Sequence, residues 1–519
     1  MKRKLLMLFA AITVLTLLAT VPCSAKPVRV AGKPANIFFS LTQSIQYSIE
    51  GENYDTEKDV NAAIMNLLVE GDVELTDNLR FYGAGYLTVD WIYALKSGDS
   101  TWNRKGFDDA RDDLMVDDEW WQLLKEAHVT FDAGNLTIRI GKQNVRWGEN
   151  EVFPVTDVIN PLDLSRGYSE IDLEFITMPI PVVKVQYDVD TSIGIFDNTS
   201  IQLVFNPNVD FIPDTQGLFL FGNDGAGIWG AHAIDDQGYW GIGDFGDPFR
   251  YGRQDLIWDE PDAFDPDYFE FGVKISTLVG TNILSVMAFY GRDNTIINTF
   301  GMDFTADSID WMAYPWFLKY DDDGIPIVNF LDFGVIPREK MIGASWSGEL
   351  PIQIGWLGGV TPSYGLEFAY FFDKKDFEGA YLFDFVEFDL LQASFRIDYK
   401  ISLPWQRSQL LLAGETVYNR NMDWQSGWFL DDYITNTESW WEYFFFATTS
   451  YRHTKLRPTL EFYAYGDMGV QIFSPSVAYD VNEAITVVLK ANFFQGKDMD
   501  VWGLQNKDNL SFKLVYSWG

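Results

Sequence analysis

The sequence predicts an all-β protein, a closed antiparallel up-and-down transmembrane barrel of about 16–18 strands with long loops at its extracellular end. Three observations predict it. Strand-length segments alternate apolar and polar residues, short turns alternate with long polar connections, and aromatic residues make up 16% of the chain, with 41 Phe, 25 Tyr and 19 Trp. Beyond the N-terminus no apolar run approaches the roughly 20 residues that a membrane helix needs. A barrel gives so many aromatics a place, in girdles at the two membrane interfaces.

The first element is a secretory signal over residues 1–25: Lys2, Arg3 and Lys4 precede an apolar run that ends in small residues at Cys23 and Ala25. Cleavage there removes the one cysteine, so disulfides, thiol nucleophiles and thiolate metal sites are not expected. The formal balance of 38 basic against 75 acidic residues, −37, becomes 35 against 75, or −40, in the mature chain. A charge of that sign makes nucleic acid an improbable partner. Residues 26–36 read as a periplasmic lead-in too short for a plug domain, and residues 37–519 as one barrel with inserted loops.

The strands follow from period-two patterning. In residues 391–401, Leu391, Ala393, Phe395, Ile397, Tyr399 and Ile401 take one face, and Gln392, Ser394, Arg396, Asp398 and Lys400 the other. The pattern returns at 129–140, at 484–493 and in the C-terminal "LSFKLVYSWG", where Tyr516 and Trp518 are expected to face lipid. Short turns fall at 76–78, 133–135, 279–282, 403–408 and 480–483, all on one side if strands alternate up and down. The long acidic stretches 94–119, 207–267, 292–340 and 420–440 then share the other side. Arg139, Arg396, Asp398 and Lys400 are expected to line the lumen.

The connection after the strand at 136–146 has a composition of its own: "RWGENEVFPVTDVINPLDLS" begins at the outer end of a wall strand and mixes charges with rigid turn residues. Arg146, Glu149, Glu151, Asp157, Asp163 and Arg166 supply charge, Trp147 supplies flat apolar surface, and Asn160 with Pro161 fixes a turn. Such a segment can fold into the mouth and narrow the pathway. Glu149 and Asp163 should then accept hydrogen bonds, because an unpaired charge in a narrow pore is costly. The plainer alternative is that Trp147 packs on the wall and Glu149 bonds Arg146 or backbone amides, merely closing a loop.

This segment also resembles the characteristic stretch of a porin-like family of outer-membrane proteins of unknown function, domain family 1302. The matching positions are Gly141, Lys142 and Gln143, then Trp147, Gly148 and Glu149, then Asn160, Pro161, Asp163 and Ser165, with Pro179 and Pro181 following. Lys142 stands where Arg is more usual. The resemblance implies a pore or conduit in the cell outer membrane, and for some members cooperation with periplasmic lipid-handling proteins that move hydrophobic compounds outward.

Other chemistry is thinly supplied. The three histidines, His128, His232 and His453, have no nucleophile pattern near them, and no enzyme activity is expected. No resident cofactor is expected either. The acidic clusters at 107–113 and 320–324 offer oxygen ligands that suit Ca²⁺ but lack the spacing of a helix-loop-helix calcium site. Expected partners are outer-membrane lipids and lipopolysaccharide, a small-molecule or lipid-like solute, and a periplasmic protein. The competing function is a non-transporting surface barrel that binds an extracellular polysaccharide through aromatic-rich loops such as 227–249.

Overall fold

The computed structural model describes residues 28–30, 32–49, 58–96, 115–117, 123–163, 176–210, 250–258, 261–294, 297–302, 327–351, 361–377, 385–403, 408–424, 438–452, 454–466, 469–496 and 508–518. The signal segment, Ser165, Arg166, His232, His453, both acidic clusters and the aromatic loop at 227–249 lie outside these residues.

Twenty-one strands form one closed sheet, and three of them, Val28–Val30, Val60–Ala62 and Val116–Asp117, are short extensions. The remaining eighteen are the wall. They are β1 (Lys33–Ser48), β2 (Ile64–Thr76), β3 (Leu79–Asp90), β4 (Glu126–Ala133), β5 (Leu136–Gln143) and β6 (Ile180–Asp188). Then come β7 (Phe196–Asn206), β8 (Glu270–Val279), β9 (Asn282–Arg292), β10 (Arg338–Glu349), β11 (Ser363–Phe377) and β12 (Phe385–Ser402). The last six are β13 (Gln409–Asn421), β14 (Ser439–Thr448), β15 (Leu456–Tyr465), β16 (Val470–Asp480), β17 (Ile485–Gln495) and β18 (Asn509–Trp518). Each pairs antiparallel with its neighbours in the chain, and β1 closes on β18 through the register Phe39↔Trp518 to Ser48↔Asn509. Closure leaves no free sheet edge, as a backbone in lipid requires.

The five turns expected to be short all fall at one end, together with the start of β1 and the end of β18. Gly134 and Gly280 reverse the chain there at positive φ (61° and 65°). The opposite end carries the long connections, but not without exception: β15 and β16 are joined there by the tight turn at 466–469. Three further strands, Arg250–Trp258, Ile297–Met302 and Ile327–Val335, form a separate small sheet between wall strands, its first and last members parallel. The lead-in is shorter than the sequence suggested. Val28–Val30 folds back on Lys33–Ala35 around Gly32, so β1 already begins at Lys33.

Faces are set by side-chain parity. Val69, Ile140, Leu203, Phe368, Phe395, Leu489 and Phe512 are exposed on the outside of the wall, a band that only lipid would cover. Exposed aromatics border it at both ends: Tyr47, Tyr290 and Trp441 toward the long loops, Tyr187 and Tyr479 toward the short turns. Tyr516 shares the outer face but is buried, its ring edge-on to Phe39 at 6.3 Å.

The inner face carries polar side chains in its middle, with Ser276, Ser285, Ser345, Glu367 and Ser394 in one continuous register row. A parallel row nearer the long-loop end is apolar instead: Val204, Gly272, Phe289, Met341, Phe371 and Leu390 are successive cross-strand neighbours from β7 to β12. A water-filled lumen gives such a belt no reason to exist; something must cover it. The face assignment predicts that Leu489→Arg, on the outer face of β17, destabilises the folded barrel by about 2–4 kcal/mol. Urea titration of the protein folded into vesicles measures this, and Lys490→Ala, one residue along on the inner face, should cost far less.

Candidate functional site: the segment folded into the barrel

The cover is the connection between β5 and β6. The strand at 136 stops at Gln143 rather than running on to 146, because the next amides leave the ladder: the Val145 N–H donates to Asn160 Oδ1 at 2.8 Å. Asn160 Nδ2 in turn donates to the Met178 carbonyl at 2.9 Å, so one amide side chain ties both arms of the segment together. The Pro161 carbonyl accepts from Met178 N–H and the Ile176 carbonyl accepts from Asp163 N–H, closing the base as a small ladder. Between these arms, residues 145–159 run along the inside of the wall.

Their apolar side chains settle on the apolar belt. Val145, Trp147, Val155 and Ile159 join Val204, Met287, Phe289, Met341, Phe371 and Val417 in one buried cluster, with Phe153 and Val158 packed on its rim. Trp147 is 0% exposed. Its indole N–H donates to Gln202 Oε1 at 2.7 Å, and the ring lies so close over Gly272 that a Cβ there would overlap it. Burying an indole of this size accounts for a few kcal/mol of docking.

The polar atoms of the segment are answered by two carboxylates from the wall. Glu367 of β11, fully buried, accepts from the amides of Glu149 (2.5 Å), Asn150 (2.6 Å) and Thr156 (3.2 Å) and from the Thr156 hydroxyl (3.0 Å). Glu415 of β13 accepts from the amides of Glu151 (3.3 Å), Val152 (3.1 Å) and Phe153. Asn150 Nδ2 donates to Ser394 Oγ at 2.6 Å, and Lys274 Nζ donates to the Trp147 carbonyl at 2.7 Å. A loop with no strand partner for its N–H groups is thereby satisfied inside the barrel, which a buried backbone demands.

The residues singled out from sequence play different parts. Trp147, Asp157 and Asn160 are structural pins; the Trp147 N–H donates to Asp157 Oδ1 at 3.1 Å. Glu149 and Glu151 reach across to wall cations, Lys274 at 3.6 Å and Arg396 at 3.1 Å. Arg146 does not meet Glu149; its guanidinium donates to the Asn150 carbonyl at 2.6 Å. Asp163 sits in the ladder at the base, away from these contacts. Of the wall residues, Arg396 and Asp398 are paired at 2.9 Å. Lys400 is exposed toward the short turns, and Arg139 lies on the inner face of β5, donating to Thr130 Oγ1 at 3.2 Å.

Sequence reasoning missed Glu367, Glu415, Lys274, Gln202 and Gly272. Each is a single inward residue on an ordinary strand, and none is near the segment in the chain.

The geometry defines a class: a closed transmembrane-type β-barrel whose fifth and sixth strands are joined by a segment docked inside the wall. The chain belongs to the family described as protein of unknown function (DUF1302), whose profile matches residues 50–518. No curated protein matches it. Among solved structures the chain is similar to in-vitro folded OmpT, an outer membrane protein of Vibrio cholerae in its trimer form, at 8% identity and TM-score 0.37, over 93% of this chain and 99% of that one. It is also similar to Salmonella typhi OmpF in complex with daunomycin (9%, TM-score 0.37, 95% and 99%) and to a mutant Rh. blastica porin (9%, TM-score 0.34, 93% and 100%).

Two outcomes follow from the docking geometry. Glu367→Ala strands three amides and a hydroxyl and should weaken docking by about 3 kcal/mol, read as faster proteolytic nicking within 149–156 in an intact barrel. The second concerns pH. Burial lifts the Asp157 carboxyl from an ordinary 3.8 to about 6, against the pull of the Trp147 amide and Arg146. The docked segment therefore favours the protonated form, so this contribution is complete below about 3.8 and is lost as pH rises through about 6. Amide exchange at residues 147–157, corrected for intrinsic rates, should show less protection at pH 8 than at pH 5. Asp157→Asn should flatten that difference.

Proposed function

We propose that this protein is an outer-membrane conduit for the passive passage or export of small or hydrophobic molecules, and that the segment from 144 to 163 sets its width. The observation that carries this reading is the docking of residues 149–156 on Glu367 and Glu415. A closed wall of eighteen strands encloses more space than its own side chains fill. A segment pinned to the inside of that wall reduces the free cross-section, and does so reproducibly because its amides are fixed by hydrogen bonds. Rigidity is what size discrimination needs. Residues that would be catalytic in a barrel enzyme have no role in this reading; transport is the function, without covalent chemistry or a cofactor.

Conductance of the purified protein in planar bilayers tests it. The parent should conduct, and Trp147→Ala or the double variant Glu367→Ala, Glu415→Ala should raise single-channel conductance roughly twofold as the segment loosens, with barrel assembly retained. A parent that forms no channels, or variants that conduct as the parent does, would remove the segment from this role.

A further inference from the structure

In a chain with nearly twice as many carboxylates as cations, inward-facing cations are expected to be neutralised, and most are. Arg396 meets Glu151 and Asp398, Lys274 meets Glu149, Lys374 meets Asp293 and Glu339, Lys490 meets Glu461, and Arg457 meets Asp480. Arg139 and Lys184 differ. They are direct cross-strand partners on β5 and β6, two like charges side by side on the inner face. Among the described residues neither makes an ion pair, and Lys184 has no hydrogen-bond partner at all. Glu126 acts on both Arg139 and Lys184 from β4, and Asp132 on Arg139, without reaching contact.

Like charges directly opposite on a sheet are destabilising, and both side chains are half-buried, which adds desolvation. The neighbourhood adds a further donor. Thr130 Oγ1 accepts from Arg139 Nε, which leaves its own proton free to donate, and Arg80 follows Thr130 in the same register row. Arg80 itself is drawn to Asp72 at 3.6 Å, so the unmatched charge is concentrated on Arg139 and Lys184. The row then continues from Lys184 directly into Val204, where the apolar belt begins.

We infer that Arg139 and Lys184 form an anion-binding station on the lumen wall, which takes the oxyanion head, carboxylate or phosphate, of a solute. The guanidinium offers a planar fork to two oxygens and the ammonium a movable third donor. This deepens the conduit reading and rests on it for its purpose: the station holds the anionic head of a solute on its way through the lumen.

The test is calorimetric titration of the purified barrel, folded in detergent, with inorganic phosphate and separately with propionate, and tetramethylammonium as a control. Both oxyanions should bind and the cation should not; phosphate alone or propionate alone supports the station and identifies its head group. Lys184→Gln and Arg139→Gln should each weaken binding at least tenfold, Arg139→Lys should retain part of it, and Lys455→Gln, in the turn between β14 and β15 at the short-turn end, should leave it unchanged. Heat-dependent gel mobility checks that each variant is folded. Absence of heat with either anion, or undiminished affinity in both Gln variants, overturns the station. Binding needs no current, so a barrel that binds but does not conduct sinks the conduit reading alone, and one that conducts without binding sinks the station alone.

Discussion

Everything distinctive about this barrel depends on two wall carboxylates that accept hydrogen bonds from the backbone of one connection. A carboxylate buried in a sheet is unfavourable by several kcal/mol unless donors surround it. Glu367 has four and Glu415 three, almost all of them main-chain amides. The exchange is mutual. The loop amides would otherwise be orphaned against an apolar belt, and the carboxylates would otherwise be isolated in the wall. Neither the inner row of Phe289, Met341 and Phe371 nor the course of the loop makes sense without the other.

The two kinds of contact divide the labour. Apolar burial around Trp147 supplies most of the attraction but fixes position loosely, since dispersion and hydrophobic contact are not directional. The amide-to-carboxylate bonds supply direction and register. Gly272 makes the ring's approach possible, and Gly365, where a Cβ would overlap the Asn150 side chain, does the same for the bend that follows.

Much of the wall was legible in the sequence because lipid on one side and a polar lumen on the other impose alternation, as residues 391–401 show without ambiguity. The turns were legible for a similar reason: Gly134 and Gly280 stand where the chain must reverse. Strands under the docked segment were harder to read. In β9 the inward Met287 and Phe289 are as apolar as the outward Val286, so the period is blurred by the very belt that matters. Trp147 and Asn160 could be picked out because their chemistry acts within the segment. Glu367 and Glu415 could not, since they lie 218 and 264 residues from the amides they bind and look like any lumen glutamate. The plainer reading paired Glu149 with Arg146, its neighbour in sequence, or with backbone amides; the structure supplies Lys274, a neighbour only in space.

Those long separations bear on how the barrel comes to be built. The segment leaves the wall after β5, yet its anchors lie on β7 to β13, all of which follow it in the chain. A chain that reaches the membrane from its N-terminus must therefore carry these residues incompletely docked until eight more strands have joined the wall. Contacts of such high order form late and slowly. Trp147 can settle once Gln202 on β7 and Gly272 on β8 are in place, whereas the amides of 149–156 wait for Glu367 on β11 and Glu415 on β13, whose arrival completes the anchoring. Seating of the loop is therefore the last step by which the inner face of the wall is covered.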